Sequence, residues 1–322
     1  MKKEDLRIVF MGTPEFAVDS LRKLRTNHYN VVGIVTQPDK PVGRHQTEMR
    51  PSPVKQYAKK YFKNVPILQP EKMKDPAFLK QLKSLKANLQ IVVAFRMLPK
   101  EVWSMPKYGT FNVHAALLPQ YRGAAPINWA IINGEKKTGV TTFFLDKDID
   151  TGTIISYKEY QIHRNFDIEI VYRGLMERGA RLCLETLDII VSSNGRPKVI
   201  SQEKLTNTRI KLHTAPKITN ETCEINWNQP AERVYNFIRG LAYPGTWTNI
   251  TESNGKQATL KIFRAKETNL PATTPNAISI DGKHLYISTA DKKLEIIELQ
   301  LQGKKRMKAA DFINGMKNKL KI

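Results

Sequence analysis

Short apolar, β-branched runs alternate with amphipathic stretches through the first 190 residues. Residues 6–11, 31–36, 89–95, 109–114 and 139–145 have the length and composition of buried strands. Residues 14–25, 53–61, 76–85 and 167–191 carry helical spacing between and after them. Such strands, joined through helices, form a mainly parallel sheet with both faces covered. The pattern predicts an α/β, Rossmann-like domain over residues 1–190. Thr13 is the expected N-cap of the first helix, with Pro14 at its first turn. Gly12 reads as a packing turn, because no Gly-x-Gly-x-x-Gly fingerprint surrounds it. That absence argues against an NAD-dependent dehydrogenase.

The texture then changes. Ser192-Ser193-Asn194-Gly195-Arg196-Pro197 is a turn cluster, and residues 191–209 read as a linker. Beyond it lie short β-rich runs at 258–265, 277–280, 284–289 and 294–301, with one helix at 230–239. This predicts a small OB-like β-barrel over residues 210–322.

Charge narrows the partners. With 52 Lys and Arg against 30 Asp and Glu, the formal net charge is +22, which points to a polyanion, either nucleic acid or an anionic membrane surface. The excess is concentrated in two places. Residues 39–63 carry Lys40, Arg44, Arg50, Lys55, Lys59, Lys60 and Lys63 against Asp39 and Glu48. Residues 37–53, which overlap them, hold Pro38, Pro41, Pro51 and Pro53 and no hydrophobic period. They read as a long functional loop. The C-terminal segment carries Lys304, Lys305, Arg306, Lys308, Lys317, Lys319 and Lys321 against Asp311. A barrel with such charge suits nucleic acid bound through phosphates. No run approaches the roughly 20 apolar residues of a membrane span. The N-terminal apolar run is too short for a signal peptide. Cys183 and Cys223 can build no disulfide framework, and both read as core residues of a cytoplasmic protein.

Three polar residues stand out for chemistry: Asn112, His114 and Asp150, each following or ending an expected strand. Asn112 and His114, two apart, project from one strand face. Ligands of open α/β sheets bind at the carboxyl ends of strands. An amide can donate to a developing oxyanion, an imidazole can donate or relay a proton, and a carboxylate can orient that imidazole. No activated Ser or Cys accompanies them, which points to direct transfer between two bound substrates. Taken singly, each also reads as structural: a core histidine, a turn asparagine, a turn aspartate. The histidines lack paired metal-ligand spacing, and no zinc site is expected.

The ordered string Asn112-x-His114-x-x-Leu117-Leu118-Pro119-x-x-Arg122-Gly123-x-x-Pro126, followed by Asp150-Thr151-Gly152, resembles the folate-dependent formyltransferases. The likeness extends to residues 11–17, to 37–44 with 51–55, and to Ile225-Asn226-Trp227 with 238–241. The proline-rich basic loop is similar to the tRNA-contacting loop of the branch that formylates methionyl-tRNA. The resemblance implies passage of the formyl group of 10-formyltetrahydrofolate to the α-amine of methionine on initiator tRNA. It implies catalytic roles for Asn112, His114 and Asp150. It places the folate beside Arg96, Met97, Leu98, Ala116, Leu117, Leu118 and Pro119. Together with the charge, it assigns tRNA contacts to Lys40, Arg44, Arg50, Lys304, Lys305 and Arg306. No metal is implied, and a monomer is expected. Two departures stand out: Ala116 replaces the family's usual serine, and the stretch Phe95 to Pro99 is one residue short. Formylation of a sugar nucleotide or of glycinamide ribonucleotide is the enzymatic alternative. An RNA-binding protein with a degenerate enzyme domain is the other.

Overall fold

The computed structural model describes residues 1–42, 48–205, 211–251 and 255–316. The chain forms two compact units. One comprises residues 1–123, 138–160 and 172–214, the other 124–137, 161–171 and 215–322. The division in space therefore differs from a cut at residues 191–209. Two segments from before that point pack with the C-terminal strands.

The elements run β1 (Ile8–Gly12), α1 (Glu15–Thr26), β2 (Val31–Val35), β3 (Lys40–Val42), β4 (Glu48–Arg50), α2 (Pro53–Tyr61), β5 (Ile67–Leu68), α3 (Pro76–Ser84) and β6 (Leu89–Val93). They continue with α4 (Lys100–Trp103), β7 (Thr110–His114), β8 (Arg122–Gly123), α5 (Pro126–Ile132), β9 (Lys137–Phe144), β10 (Ile154–Gln161), α6 (Ile168–Ser192) and β11 (Thr214–Ala215). The last are α7 (Ala231–Gly240), β12 (Thr246–Thr251), β13 (Gln257–Pro271), β14 (Ile278–Asp281), β15 (His284–Ser288), β16 (Lys292–Leu301), β17 (Met307–Lys308) and α8 (Ala309–Met316).

The first unit is built on a sheet of order β10-β9-β7-β6-β1-β2-β5. Strands β5, β2, β1, β6 and β7 are parallel, and β9 runs antiparallel to β7. All five residues of β1 are buried, so both faces are covered. Val9 and Met11 enter a cluster with Phe78, Leu82 and Val102. Ile8 and Phe10 take the opposite face. The chain builds outward from β1 to β5, then returns to lay β6 on the other side of β1. Such a reversal leaves a crevice at the carboxyl ends of the strands. Strands β6 and β7 end beside it, at Val93 and His114.

At the end of β1, a Cβ on Gly12 would lie 2.6 Å from the Ala17 Cβ and 3.0 Å from the Val93 carbonyl oxygen. Close helix–strand packing thus requires the glycine. Thr13 does not cap α1: Pro14 is the N-cap, and the Tyr172 hydroxyl accepts the Phe16 N–H at 2.9 Å. The capping group comes from 156 residues away, beyond any local signal. The described residues between 37 and 53 are not all loop. Strands β3 and β4 pair antiparallel, with Lys40 opposite Arg50 and Pro41 opposite Met49. A hairpin exposed on both faces carries no hydrophobic alternation, so its sequence hides it.

The second unit contains an antiparallel sheet of order β12-β13-β16-β15-β14, with β17 on β16. Register shifts between Ile262 and Ala265 bend the long β13. Leu260, Ile262, Leu285, Ile287, Leu294 and Ile296 form its core with Val234 and Ile238 of α7 and Phe312 of α8. Strand β12 and helix α8 are additions to the expected elements. In β12 the inward positions include Thr246 and Thr248, both buried. Their hydroxyls are satisfied, by donation to the Ile262 carbonyl at 2.8 Å and by acceptance from Trp227 Nε1 at 3.1 Å. A strand that buries threonines shows no apolar period. Among the described residues, no helix is long and apolar enough to cross a membrane.

Helix α7 begins after Pro230, which supplies no side-chain cap. Asp291 does so instead, accepting the Ala231 N–H at 2.7 Å and the Thr289 hydroxyl at 3.1 Å. The Ala231 N–H, with Thr289 beside it, holds the Asp291 carboxyl below its usual range. Asp291→Ala is expected to destabilise this unit by about 1 kcal/mol, measured by urea denaturation. The stability difference between the wild-type and substituted proteins should be full above pH ~4. It should shrink as pH falls through the depressed native value, because protonation removes the carboxylate acceptor.

Candidate active site

Strand β7 carries Asn112 and His114 to the carboxyl edge of the sheet. Phe111 and Val113 are buried in the core, which turns the two polar side chains to the other face. Asn112 is half-buried, and among the described residues no protein group bonds its amide. It is available to a ligand.

His114 is nearly enclosed, at 6% exposure. Its Nε2 lies 2.9 Å from the Tyr121 carbonyl. A carbonyl only accepts, so Nε2 carries the hydrogen and donates. Nδ1 then faces Asp150, 3.7 Å from Oδ2. The Gly123 N–H donates to the same Oδ2 at 2.9 Å. A proton taken up at Nδ1 would sit against a carboxylate already fixed by a backbone donor. The structure thus brings together His114 and Asp150, 36 positions apart in sequence.

Local backbone explains why Asp150 reaches this point. Its φ of 56° lies in the left-handed region, which Asp enters more readily than most residues. Thr151 donates to Asp146 at 2.7 Å. A Cβ on Gly152 would overlap the Phe144 carbonyl oxygen, so only glycine lets the turn close on the end of β9. On the other side, Thr141 pins the turn after β7. Its hydroxyl donates to the Ala116 carbonyl at 2.6 Å and accepts the Leu118 N–H at 3.2 Å.

Sequence reasoning missed a second set of residues. Gln202 is 2% exposed. Its Nε2 donates to the carbonyls of Asp150 and Gly152, at 2.9 and 2.8 Å. Its Oε1 accepts from Arg122 Nε at 3.0 Å and from the second guanidinium nitrogen at 2.6 Å. Gln120 is held similarly, donating to the Lys211 carbonyl at 3.0 Å and accepting the His213 N–H at 2.8 Å. The Tyr121 ring stacks on His213, centroids 5.8 Å apart. Ile200 bridges Ile154. The described part of the expected linker is therefore built into the wall of the site. Its bonds run from amide side chains to backbone, and such bonds leave no hydrophobic period to read.

The residues expected to hold a cofactor are dispersed in role. Met97 is 72% exposed, whereas Leu98 is buried among Val9, Met11 and Val35. Arg96 donates to the carbonyls of Glu71 and Pro70, its Nε is buried without a partner, and burial lowers its pKa. Ala116, Leu118 and Pro119 are buried and Leu117 is half-buried. The Leu118–Pro119 bond is cis.

Of the expected polyanion contacts, Lys40 and Arg50 are exposed and face each other across the β3–β4 pair. Asp39 anchors the base of this hairpin, accepting from Lys55 at 2.6 Å and from Gln69 at 2.8 Å. The Lys55 ammonium and then the Gln69 amide hold its carboxyl below the usual range. Arg44 lies outside the described residues. Lys304 and Lys305 are exposed. Arg306 differs from both. It forks onto Glu298 at 2.6 and 2.7 Å, and its guanidinium lies 4.1 Å from the Phe263 ring centroid.

Residues 6–187 match the formyl transferase family, and residues 217–317 match the formyl transferase C-terminal domain. The chain belongs to the formyltransferase family. Among its relatives, a methionyl-tRNA formyltransferase of Parabacteroides distasonis is 53% identical, covering 98% of each chain. One of Flavobacterium johnsoniae is 47% identical, covering 97% of each. Among solved structures, an N-formyltransferase of Helicobacter canadensis, complexed with folinic acid and dTDP-3-aminofucose, has a TM-score of 0.65. It is 21% identical, covering 90% of this chain and 98% of that one, a likeness of fold.

The formyltransferase turn at Gly152 gives a direct test. Gly152→Ala must displace either β9 or the Asp150 turn. We expect a fall in Tm of about 3–10 °C, from overpacking of 1–3 kcal/mol. Differential scanning calorimetry measures it, and an unchanged Tm would mean that the turn has room.

Proposed function

We propose that this chain transfers the formyl group of 10-formyltetrahydrofolate to the α-amine of methionine on initiator methionyl-tRNA. The observation that carries the reading is the His114–Asp150 pair beside the unpartnered Asn112 amide. It stands at the carboxyl edge of a formyltransferase sheet, in a chain half-identical to proteins named methionyl-tRNA formyltransferase. The net charge of +22 suits a nucleic-acid acceptor better than a small one.

In this reading the amine adds to the formyl carbon, a tetrahedral oxyanion forms, and its collapse breaks the bond from that carbon to the folate N10, which leaves as tetrahydrofolate. The Asn112 amide donates to that oxygen, and His114, with a proton taken up at Nδ1 against Asp150, adds positive charge to the site. Asp150 orients the imidazole and holds a proton at Nδ1 on its way from the amine to the folate N10. Donors fixed before the reaction need no reorganisation as charge develops, which is where their effect on rate lies. The folate lies against the segments 96–98 and 116–119. Exposed Met97 and the Asn112 amide fit an aromatic ligand with a polar edge. Lys40, Arg44 and Arg50 contact the acceptor arm, with Lys304 and Lys305 adding phosphate contacts, whereas Arg306 is already paired with Glu298. Residues 1–190 carry the chemistry and 210–322 support tRNA binding. Cys183 and Cys223 are free and buried, and burial pushes the Cys183 thiol up to about 12. Two buried, free thiols suit a reducing cytoplasm.

The test is formylation of charged initiator tRNA beside glycinamide ribonucleotide and amino-sugar nucleotides, all with the same folate. Formylation of a small acceptor but not of methionyl-tRNA would overturn the reading. Asn112→Ala should lower kcat by about 10²- to 10³-fold. His114→Ala should lower it by about 10²- to 10⁴-fold. Folate binding, read by fluorescence quenching, should persist in both. Replacing Lys40 and Arg50 together by Ala should raise KM for tRNA and flatten its salt dependence by up to about two counterions. An equal rise in KM for folate would count against a tRNA-contacting hairpin.

A further inference from the structure

We infer that Gln202 is a positioning residue for the transfer reaction, acting through Asp150. The inference rests on the catalytic reading of Asp150 given above. Gln202 lies in a stretch with no motif, yet its amide is one of the most committed groups in the first unit. Both N–H bonds go to the turn that presents Asp150, one to the carbonyl of residue 150 and one to that of residue 152. The oxygen receives both the Nε and a terminal nitrogen of Arg122. Arg122 immediately precedes Gly123, whose N–H fixes Asp150 Oδ2. One side chain therefore grips the Asp150 carboxylate's neighbourhood from two directions. It holds the backbone of the residue that bears the carboxylate, and it holds the residue beside the carboxylate's own donor.

The geometry at stake is narrow. The Nδ1 to Oδ2 separation is 3.7 Å. The backbone around it includes left-handed conformations at both Tyr121 and Asp150, with φ of 59° and 56°. Asp enters this region more readily than most residues, whereas for the bulky Tyr121 it costs energy that its surroundings must offset. Gln202 supplies support on the Asp150 side. Glutamine suits the place because it offers two donors and an acceptor on one planar group. A glutamate keeps the acceptor for Arg122 but turns oxygen toward two carbonyls. A methionine fills the volume and removes every bond.

Gln202→Met and Gln202→Glu should each lower kcat by about 10- to 100-fold, with KM for both substrates within a few-fold of wild type. A residue that only stabilises the fold would lower Tm without this split. The decisive measurement is a double-mutant cycle with Asp150→Asn, followed by single-turnover formylation of methionyl-tRNA. If Gln202 acts through Asp150, Gln202→Met should change the rate of the Asp150→Asn protein by less than about two-fold. A full additional loss in that background would overturn the proposal, as would wild-type kcat in both Gln202 variants. Wild-type kcat in Asp150→Asn alone would overturn the catalytic reading beneath it, a result distinct from either. Should Gln202→Met fail to fold, Gln202→Asn keeps the amide one methylene short of its partners. The same cycle then applies, with reduced kcat at a retained Tm expected.

Discussion

A single carboxylate oxygen organises the candidate site. Asp150 Oδ2 accepts the Gly123 N–H and faces His114 Nδ1. Three chain segments meet there. One is the end of a central parallel strand, one the turn leaving it, and one the turn between β9 and β10. The turn leaving β7 carries a strained left-handed tyrosine, and the other carries a left-handed aspartate, a residue that takes this conformation more readily. Meeting at one oxygen fixes both. The tautomer of His114 follows from the same arrangement. The Tyr121 carbonyl, in a turn held by His213, takes the hydrogen on Nε2 and leaves Nδ1 for the carboxylate side.

A different constraint governs the charged surface. Lys40 and Arg50 are cross-strand partners, an arrangement that like charges make unfavourable in isolation. Asp39 relieves the base of the hairpin, but its carboxylate is engaged by Lys55 and Gln69 rather than by either cation. The hairpin thus presents two cations that its own acidic neighbour leaves unneutralised. Arg306 shows the opposite case. It is paired with Glu298 and stacked on Phe263, so its charge is locally balanced. Counting lysines and arginines along the chain treats these positions alike, and geometry separates them.

The sheet of the first unit is legible in the sequence because its strands are covered on both faces. Burial there selects apolar residues at nearly every position, as in β1 and β6, where Gln90 is the polar exception and bonds Thr110. Helices α2 and α3 are legible for a related reason: proline marks each start, and an amphipathic stripe follows. Asn112, His114 and Asp150 can be found because each ends or follows such a strand. What stays hidden shares a cause. The Tyr172 cap on α1, the Asp291 cap on α7, the threonine-lined β12 and the Gln202 brace all rest on polar bonds. The caps and the brace join residues far apart in sequence, and polar partners leave no periodic trace. The expected linker fails as a free tether for this reason. It reads as loop by composition, and Ile200 and Gln202 tie it to β10 and to the Asp150 turn.

The same physics bears on the replacement of the family's usual serine by Ala116. Ala116 is fully buried, so a hydroxyl at that position would need a partner inside the protein or on a ligand. The neighbouring backbone groups that such a hydroxyl could serve are already taken. Thr141 bonds both the Ala116 carbonyl and the Leu118 N–H, from the strand position directly opposite His114. The turn therefore loses no hydrogen bond for lack of a serine. Its shape is set by a threonine on β9, and β9 is also the strand whose end Gly152 closes against. The turn that carries the 116–119 segment and the turn that carries Asp150 are thus referenced to the same strand. Variation at position 116 can change what a bound ligand touches without moving the Asp150 carboxylate.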